Sequence, residues 1–326
     1  MTPKKDLQSI LKPIEQYLIA VDEAIKNKLY TGIYLLDESS MHTFKKSGKK
    51  IRASMIILSS GLNNSIPDDI IDIACAAEII HAASLVHDDI IDNADLRRGL
   101  PTVARQYGPK VAVLAGDFMY TKALEIAVGN NRTDLFPIMV DATIQMVKGE
   151  LYQIQYSNID NITVDNYYRI IEMKTARFMA ACAKLGACVA KMDNKQSDIL
   201  YECGLQLGYA FQITDDAMDY LNNAAITGKD AGNDFINGKI TLPLLRLLQV
   251  VGDKEKELLI HYAKHPDKEN WKYVLQKATE YNVVEYCIDV ADEYVQRAVK
   301  LLSQFPDTPF KDVMTELALF FIDRKY

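Results

Sequence analysis

The sequence predicts an all-α fold in one domain, residues 1–326, and three observations carry that prediction. Long stretches place apolar residues at i, i+3, i+4 and i+7, the spacing of one helix face. Sustained apolar–polar alternation, the mark of a half-buried strand, is absent. Glycine and proline are few, 15 and 10, and the clearest breaks fall where they gather, at Ser65-Ile66-Pro67, Arg98-Gly99-Leu100-Pro101, Gly129-Asn130-Asn131 and Gln304-Phe305-Pro306.

Taken in order, the first helix is expected over 6–26. A second, over 49–61, is entered through Ser47-Gly48-Lys49-Lys50-Ile51-Arg52. The third, 67–93, starts at Pro67, which suits a first helical turn. It carries Ile70, Ile71, Ile73, Ala74, Ala77, Ile80, Ala83 and Leu85 nearly all round, so it should be central and buried. A helix over 102–129 follows Pro101 and stops at Gly129, and 133–156 holds Gly149-Glu150-Leu151-Tyr152-Gln153. The stretch 164–191 is rich in Ala, Met and Phe and is interrupted by Lys174-Thr175. An apolar helix over 195–222 includes Phe211-Gln212. The remaining helices are expected over 241–251, 253–264, 268–280, 283–304 and 308–323. No linker, low-complexity segment or short-period repeat divides the chain.

Two of these helices end in the same pattern. Asp88-Asp89-Ile90-Ile91-Asp92 and Asp215-Asp216-Ala217-Met218-Asp219 both read DDxxD. Helical spacing puts i and i+4 on one face, so Asp88 points with Asp92 and Asp215 with Asp219. Bringing two such faces together gathers six carboxylates, which is tolerable only with cations between them. Helix C-termini also disfavour anions. Oxygen-only ligands favour Mg²⁺, which is usually held by one or two carboxylates plus substrate phosphates. The pattern therefore points to a metal-clamped phosphate or diphosphate substrate. Asp68-Asp69-Ile70-Ile71-Asp72 also fits DDxxD, but it follows Pro67 at a helix start. There acids complement the dipole and cap free N–H groups, so this copy reads as structural.

Hydrophobic residues make up 49% and charged residues 25%, enough for a sizeable core. A net charge of −7 argues against nucleic acid as a main partner. Cys75, Cys182, Cys188, Cys203 and Cys287 are scattered without CxxC spacing, as expected of reduced thiols in the cytoplasm. The start, Met1-Thr2-Pro3-Lys4-Lys5-Asp6, lacks the apolar run of a signal peptide, and no 18-residue stretch is free of charge, so no membrane span is expected.

A diphosphate site also needs fixed cations. Candidates are Arg97 and Arg98 after the first motif, Lys49 and Arg52 at a helix entry, Lys174 in its apolar helix, and Lys229 and Lys239 flanking the loop after the second motif. His81 lies about two turns before Asp88 on nearly the same face. Buried amides need partners, which directs Gln212 toward the same cavity as Asp215.

In this order and at these separations, the residues resemble the trans-isoprenyl diphosphate synthases, the polyprenyl synthetases. The likeness runs through Gly48-Lys49-x-x-Arg52, His81, the first motif with Arg97-Arg98-Gly99, and Gly149-Glu150-x-x-Gln153. It continues through Lys174-Thr175, Phe211-Gln212 with the second motif, and Gly238-Lys239-x-Thr241-Leu242-Pro243. Where the family usually has Gly-Gly-Lys-Arg, this chain has Ser47-Gly48-Lys49-Lys50, which keeps the charges.

The resemblance implies a helical bundle around a deep central cavity, usually dimeric. It implies an allylic diphosphate held by Mg²⁺, three ions with the diphosphate bound, on Asp88, Asp92 and Asp215. Asp89, Asp216 and Asp219 support the site. By the same likeness Arg97, Lys174, Lys229 and Lys239 hold phosphates, and Thr175 and Gln212 face the reacting end. Isopentenyl diphosphate falls to Lys49, Arg52, His81 and Arg98. Family members with short products carry Phe or Tyr at the positions of Ala83 and Ser84. With Ile80 one turn further on, the small residues here imply a medium-to-long product of roughly 30 to 50 carbons, one helical turn of about 5.4 Å matching an isoprene unit. The string Ala82-Ala83-Ser84-Leu85-Val86-His87 is most similar to the catalytic subunit of bacterial heptaprenyl diphosphate synthases. That likeness implies either a homodimer or a heterodimer with a small regulatory subunit, and a lipid product that favours nearness to a membrane. A class I terpene cyclase is disfavoured by the second DDxxD and the single Trp, Trp271, and a non-catalytic subunit by six intact aspartates.

Overall fold

The computed structural model describes residues 6–46, 48–129, 133–221 and 232–323. The protein is all-α, and the chain clusters into two compact units. Unit 1 is Met1–Thr143, Ala181–Tyr201 and Phe305–Leu317; unit 2 is Ile144–Ala180, Glu202–Gln304 and Ala318–Tyr326.

In unit 1, Asp6 caps α1 (Leu7–Leu11) through its side chain, accepting from Ser9 N at 2.7 Å. A 3₁₀ turn at Lys12–Ile14 separates α1 from α2 (Glu15–Leu29), because Pro13 has no N–H to continue the ladder. The sequence reading left Tyr34–His42 (α3) unassigned. Its inward positions include the small buried serines Ser39 and Ser40, so the apolar period is faint, and its acid, Asp37, accepts from Thr31 N at 2.8 Å in the preceding turn. After α4 (Ile51–Gly61) comes α5 (Ile70–Ile91), the core helix of unit 1, packed against α2, α4, α6 (Val103–Tyr107) and α7 (Pro109–Gly129). α5 is long and apolar enough to cross a bilayer, yet 72% of its most apolar window is buried within the protein. The expected helix 102–129 is broken at Gly108-Pro109, where Gly108 has φ +89° and proline opens the next helix.

A two-residue antiparallel pair, β1 (Leu96–Arg97) and β2 (Leu100–Pro101), was also not foreseen. Two residues per strand are too few for alternation to register. Its turn residues Arg98 and Gly99 both have positive φ, 53° and 73°, the geometry that matches the twist of a tight hairpin.

α8 (Phe136–Gln155), α10 (Arg177–Val189), α11 (Asn194–Met218) and α17 (Pro309–Ile322) contribute residues to both units. In unit 2, a reciprocal Thr163–Asn166 capping box starts α9 (Val164–Ile171). The expected helix 164–191 is not continuous α-helix, because Glu172–Ala176 forms a π turn between α9 and α10. A short helix α12 (Asn233–Ile236) was missed, and α13 (Leu242–Val250), α14 (Asp253–Lys264), α15 (Lys268–Glu280) and α16 (Val283–Leu302) lie where expected to within one or two residues. Trp271 packs on Tyr220 and Phe235, with ring centroids 4.8 and 5.7 Å away. Gly232 is required beside it twice over: its φ is +83°, and a Cβ there would stand 2.3 Å from the indole.

Candidate active site

The first motif lies at the C-terminal end of α5. Asp88 is half-buried and Asp92, the C-cap residue, is exposed, while Asp89 between them is 3% exposed. Asp89 is engaged by Arg97, whose Nε donates to both carboxylate oxygens at 2.8 Å, with a terminal nitrogen 2.7 Å away. A two-pronged guanidinium–carboxylate pair fixes direction as well as charge. It offsets one anion at a helix C-terminus and leaves the i and i+4 carboxylates outward. The hairpin that carries Arg97 is tied back by a reciprocal pair. Lys46 Nζ donates to Arg98 O at 2.8 Å, and Arg98 Nη1 donates to Lys46 O at 3.2 Å.

A cavity of about 230 Å³ opens in unit 1. Lys46, Lys50, Glu78, His81, Asp89, Arg97 and Arg98 line it. This is a concentration of cations in an otherwise acidic chain. Of the four residues expected to bind one substrate, His81 and Arg98 are in this wall. Lys49 is exposed and outside it, and Arg52 lies within electrostatic range of Glu78. Lys46 and Lys50 were not singled out from sequence, although the run Lys45-Lys46-Ser47-Gly48-Lys49-Lys50 was the available signal. Glu78 accepts from Ala53 N at 2.9 Å. Burial raises its carboxyl above the ordinary range, against the pull of that hydrogen bond and of Arg52. Burial, and then the charges of Arg52, Arg98 and Arg97, hold the His81 imidazole well below its ordinary value of 6.5. His81 is therefore neutral at neutral pH and offers one donor and one acceptor.

Further back on α5, Ile80 and Ala83 have no exposed surface. Ser84 shares the Asp88 face, is half-buried, and donates to His81 O at 2.8 Å. At the opposite end, Asp69 is the N-cap residue of α5 but makes no side-chain capping bond. Asp72, in the first turn, pairs with Lys28 at 3.2 Å.

The second motif repeats the pattern of the first. Asp215 is exposed, Asp219 half-buried and Asp216 only 4% exposed. Asp216 accepts from Tyr167 Oη at 2.6 Å and from Gln212 Nε2 at 2.9 Å. Asp219 accepts from the backbone N–H groups of Asn233 and Asp234, at 3.2 and 2.8 Å, and so anchors the first turn of α12. Lys174 and Thr175 sit on the π turn, a distortion found often at functional sites. Lys174 Nζ is ion-paired with Glu150 and donates to Gln153 Oε1 at 3.0 Å. Thr175 Oγ1 donates to Gln212 Oε1 at 2.9 Å. Gly149-Glu150-x-x-Gln153 thereby acquires a physical meaning. Glu150 and Gln153, one helical turn apart, grip one ammonium, and a Cβ on Gly149 would stand 2.8 Å from Lys174 Cγ. Lys239 is half-buried and its backbone N–H donates to Asp234 O at 2.8 Å. Lys229 lies outside the described residues.

The flanking aspartates Asp88, Asp92, Asp215 and Asp219 supply oxygen donors only, which suits a hard divalent cation. Among the described residues no three such ligands converge on one point. A single helix face offers two, so completing a coordination shell falls to phosphate oxygens and water.

Residues 33–278 match the polyprenyl synthetase family model. The chain belongs to the polyprenyl synthetase family. It is 33% identical to the octaprenyl diphosphate synthase of Haemophilus influenzae over 328 aligned residues, covering 99% of each chain. It is 30% identical to heptaprenyl diphosphate synthase component 2 of Geobacillus stearothermophilus, covering 98% of this chain and 99% of the relative. The crystal structure of polyprenyl synthase from Caulobacter crescentus CB15, complexed with calcium and isoprenyl diphosphate, superposes with a TM-score of 0.93. That structure is 29% identical and 99% of each chain is covered. This polyprenyl synthetase is a prenyltransferase of isoprenoid biosynthesis, with the all-α isoprenoid synthase fold.

Proposed function

We propose that the protein condenses isopentenyl diphosphate head-to-tail onto an allylic diphosphate, farnesyl or geranylgeranyl, with heptaprenyl diphosphate for quinone side chains as the final product. The observation that carries the reading is the repeated division of labour in the two motifs. In each, the central aspartate is buried and hydrogen-bonded, while of the two flanking aspartates one is half-buried and the other exposed.

In this reading Asp88, Asp92 and Asp215 would hold Mg²⁺, three ions with the diphosphate bound, which would supply Lewis acidity to the leaving diphosphate. Arg97, Lys174, Lys229 and Lys239 neutralise the charge that builds on the diphosphate oxygens as the allylic C–O bond breaks. Thr175 and Gln212 lie against the reacting end, where fixed dipoles face the developing allylic cation. Isopentenyl diphosphate is bound by Lys49, Arg52, His81 and Arg98, and the lining of the cationic cavity adds Lys46 and Lys50 to that set. Its double bond attacks the allylic carbon, one C–C bond forms, diphosphate leaves with the C–O electrons, and a proton is lost to the departing diphosphate. No side chain of the described set is assigned as a dedicated base.

Product length is read from Ala83, Ser84 and Ile80 on α5. The lack of a bulky side chain at Ala83 and Ser84 and the similarity to a heptaprenyl component support a product near 35 carbons. The alternatives are a geranylgeranyl product or another length from hexaprenyl to decaprenyl, in keeping with relatives named octaprenyl and geranylgeranyl diphosphate synthase at 33% and 32% identity. We take residues 1–326 as one synthase domain, since the family match draws on stretches of both units. A homodimer is supported by a stripe on α8, where Ile144, Val147, Leu151 and Ile154 are each 45–63% exposed along one helix face. Among the described residues no two cysteines are joined in a disulfide, which fits a cytoplasmic setting.

The test is product analysis. The purified chain is incubated with Mg²⁺, farnesyl diphosphate and labelled isopentenyl diphosphate, and the dephosphorylated alcohols are sized. A ladder ending near 35 carbons supports the full reading. A different end point refutes the length assignment alone. No product from the chain alone, but product once a small partner subunit is added, supports the heterodimer.

A further inference from the structure

Asp215 and Asp219 of the second motif flank a buried carboxyl, and the buried one is held by a residue outside either motif. Tyr167, on α9, is 2% exposed, and its hydroxyl donates to Asp216 Oδ2 at 2.6 Å. Asp216 Oδ1 accepts from Gln212 Nε2 at 2.9 Å, and Gln212 Oε1 accepts from Thr175 Oγ1 at 2.9 Å. Each group in this line has one available role. A carboxylate only accepts, so the tyrosine hydroxyl must donate. The Thr175 hydroxyl takes the oxygen end of the Gln212 amide, which turns the NH₂ end to Asp216. Burial, and then the Asp216 charge, raise the Tyr167 hydroxyl far above its ordinary value, so it stays protonated at any working pH. Burial, and then the Asp234 charge, raise the Asp216 carboxyl well above its ordinary range, against the pull of the Tyr167 and Gln212 hydrogen bonds. A buried carboxylate stripped of one of two partners is costly to leave in place.

We propose that Tyr167 is a positioning residue for the metal-and-diphosphate site. By clamping Asp216 it fixes the last turn of α11, which carries Asp215 and leads into Asp219, and through Gln212 it sets Thr175 on the π turn beside Lys174. The proposal rests on the assignment of Asp215 as a metal ligand. Replacing Tyr167 by Phe keeps the ring in its buried site and removes only the hydroxyl.

The experiment compares wild type, Tyr167→Phe, Asp216→Asn and the double variant. Four quantities are measured: kcat, KM for isopentenyl diphosphate, the Mg²⁺ concentration at half-maximal rate, and calorimetric binding of Mg²⁺ plus inorganic diphosphate without turnover. Tyr167→Phe is expected to lose about tenfold to a hundredfold in kcat, the cost of leaving a buried carboxyl without one of its two hydrogen bonds. Its Mg²⁺ requirement should rise and its affinity for Mg²⁺-diphosphate fall by roughly tenfold, while KM for isopentenyl diphosphate holds within about twofold. In the Asp216→Asn background the same change should add less than about threefold, because its effect passes through that carboxyl.

Wild-type kcat and Mg²⁺-diphosphate affinity in Tyr167→Phe overturn the proposal, as do fully multiplicative effects in the double variant. If Tyr167→Phe does not fold, Asp216→Asn decides. Weakened Mg²⁺-diphosphate binding with an unchanged Tm supports the clamp, and normal binding overturns it. A wild-type enzyme that condenses isopentenyl diphosphate without any divalent metal would instead overturn the metal assignment itself, and this proposal with it.

Discussion

Replacing Gly208 by Ala should disable catalysis through a residue that touches no substrate. Gly208 lies in α11, where a Cβ would stand 2.3 Å from Ala176 Cα and 2.8 Å from Ala176 Cβ. The nearest atom is backbone, so it has no flexible end that could swing away. Relaxing from 2.3 Å to the 3.4 Å at which ordinary contact begins needs a displacement of about 1.1 Å. Ala176 ends the π turn that carries Lys174 and Thr175, so that displacement enters the turn directly. Overpacking of this kind costs about 1–3 kcal/mol, a drop of several degrees in Tm for a chain of this size. Misplacing positioning groups by about 1 Å costs on the order of a hundredfold in rate. The assay is kcat under saturating substrates and Mg²⁺, with Tm from calorimetry. Gly252→Ala serves as the control, since nothing lies within 4 Å of its Cβ position. A Gly208→Ala enzyme with kcat within about threefold of wild type would refute the view that the close approach at Ala176 holds the turn in register.

Asp88→Ala and Asp215→Ala should each lower turnover by about 10²-fold or more with circular dichroism unchanged, and near-normal turnover would overturn the metal assignment. Asp68→Asn with Asp69→Asn should leave turnover within about twofold, since those side chains sit at the opposite end of α5; a collapse in rate with an intact fold would refute that reading. Ala83→Phe should shorten the product chain. Because Ala83 is fully buried, it should also cost about 1–3 kcal/mol of stability, and an unchanged product would refute the direction of chain growth along α5. His81 gives a pH signature. Its folded-state proton affinity is depressed, so from about pH 6.5 downward the unfolded chain binds a proton that the folded chain refuses, and stability is lost as pH falls. The stability of wild type relative to His81→Gln should therefore decline below about pH 6.5, at up to about 1.4 kcal/mol per pH unit, as read by urea denaturation; parallel curves would contradict it.

Much of this architecture was legible because helices announce themselves by period. α5 could be read as a buried central helix from its apolar circumference, and both DDxxD motifs fell at helix C-termini. The amides were legible too, since Gln153 and Gln212 had to find partners and found Lys174 and Asp216. What escaped was whatever depends on one or two residues. The α3 helix buries serines, the β hairpin is two residues per strand, and the break at Gly108-Pro109 interrupts an otherwise continuous apolar period. Tyr167 escaped for a different reason. An aromatic at helical spacing looks like core, and only its hydroxyl's partner, 49 positions away along the chain, shows otherwise.

The π turn at Glu172–Ala176 is, in register, an α-helix holding one residue too many. Each residue of an α-helix advances the face by about 100°, so α9 and the start of α10 are out of phase by about that angle. A helical wheel drawn straight through 164–191 therefore assigns the wrong side to one half of it. Tyr167, Ile170 and Ile171 of α9 are buried, and so is every residue from Phe178 to Ala183 at the start of α10, so both sides of the turn are held in packed surroundings. Deleting one residue from this turn would restore a continuous α-helix and rotate one half by about 100° against the other. Sequence alignments of this segment should then tolerate substitution far more readily than a change in length.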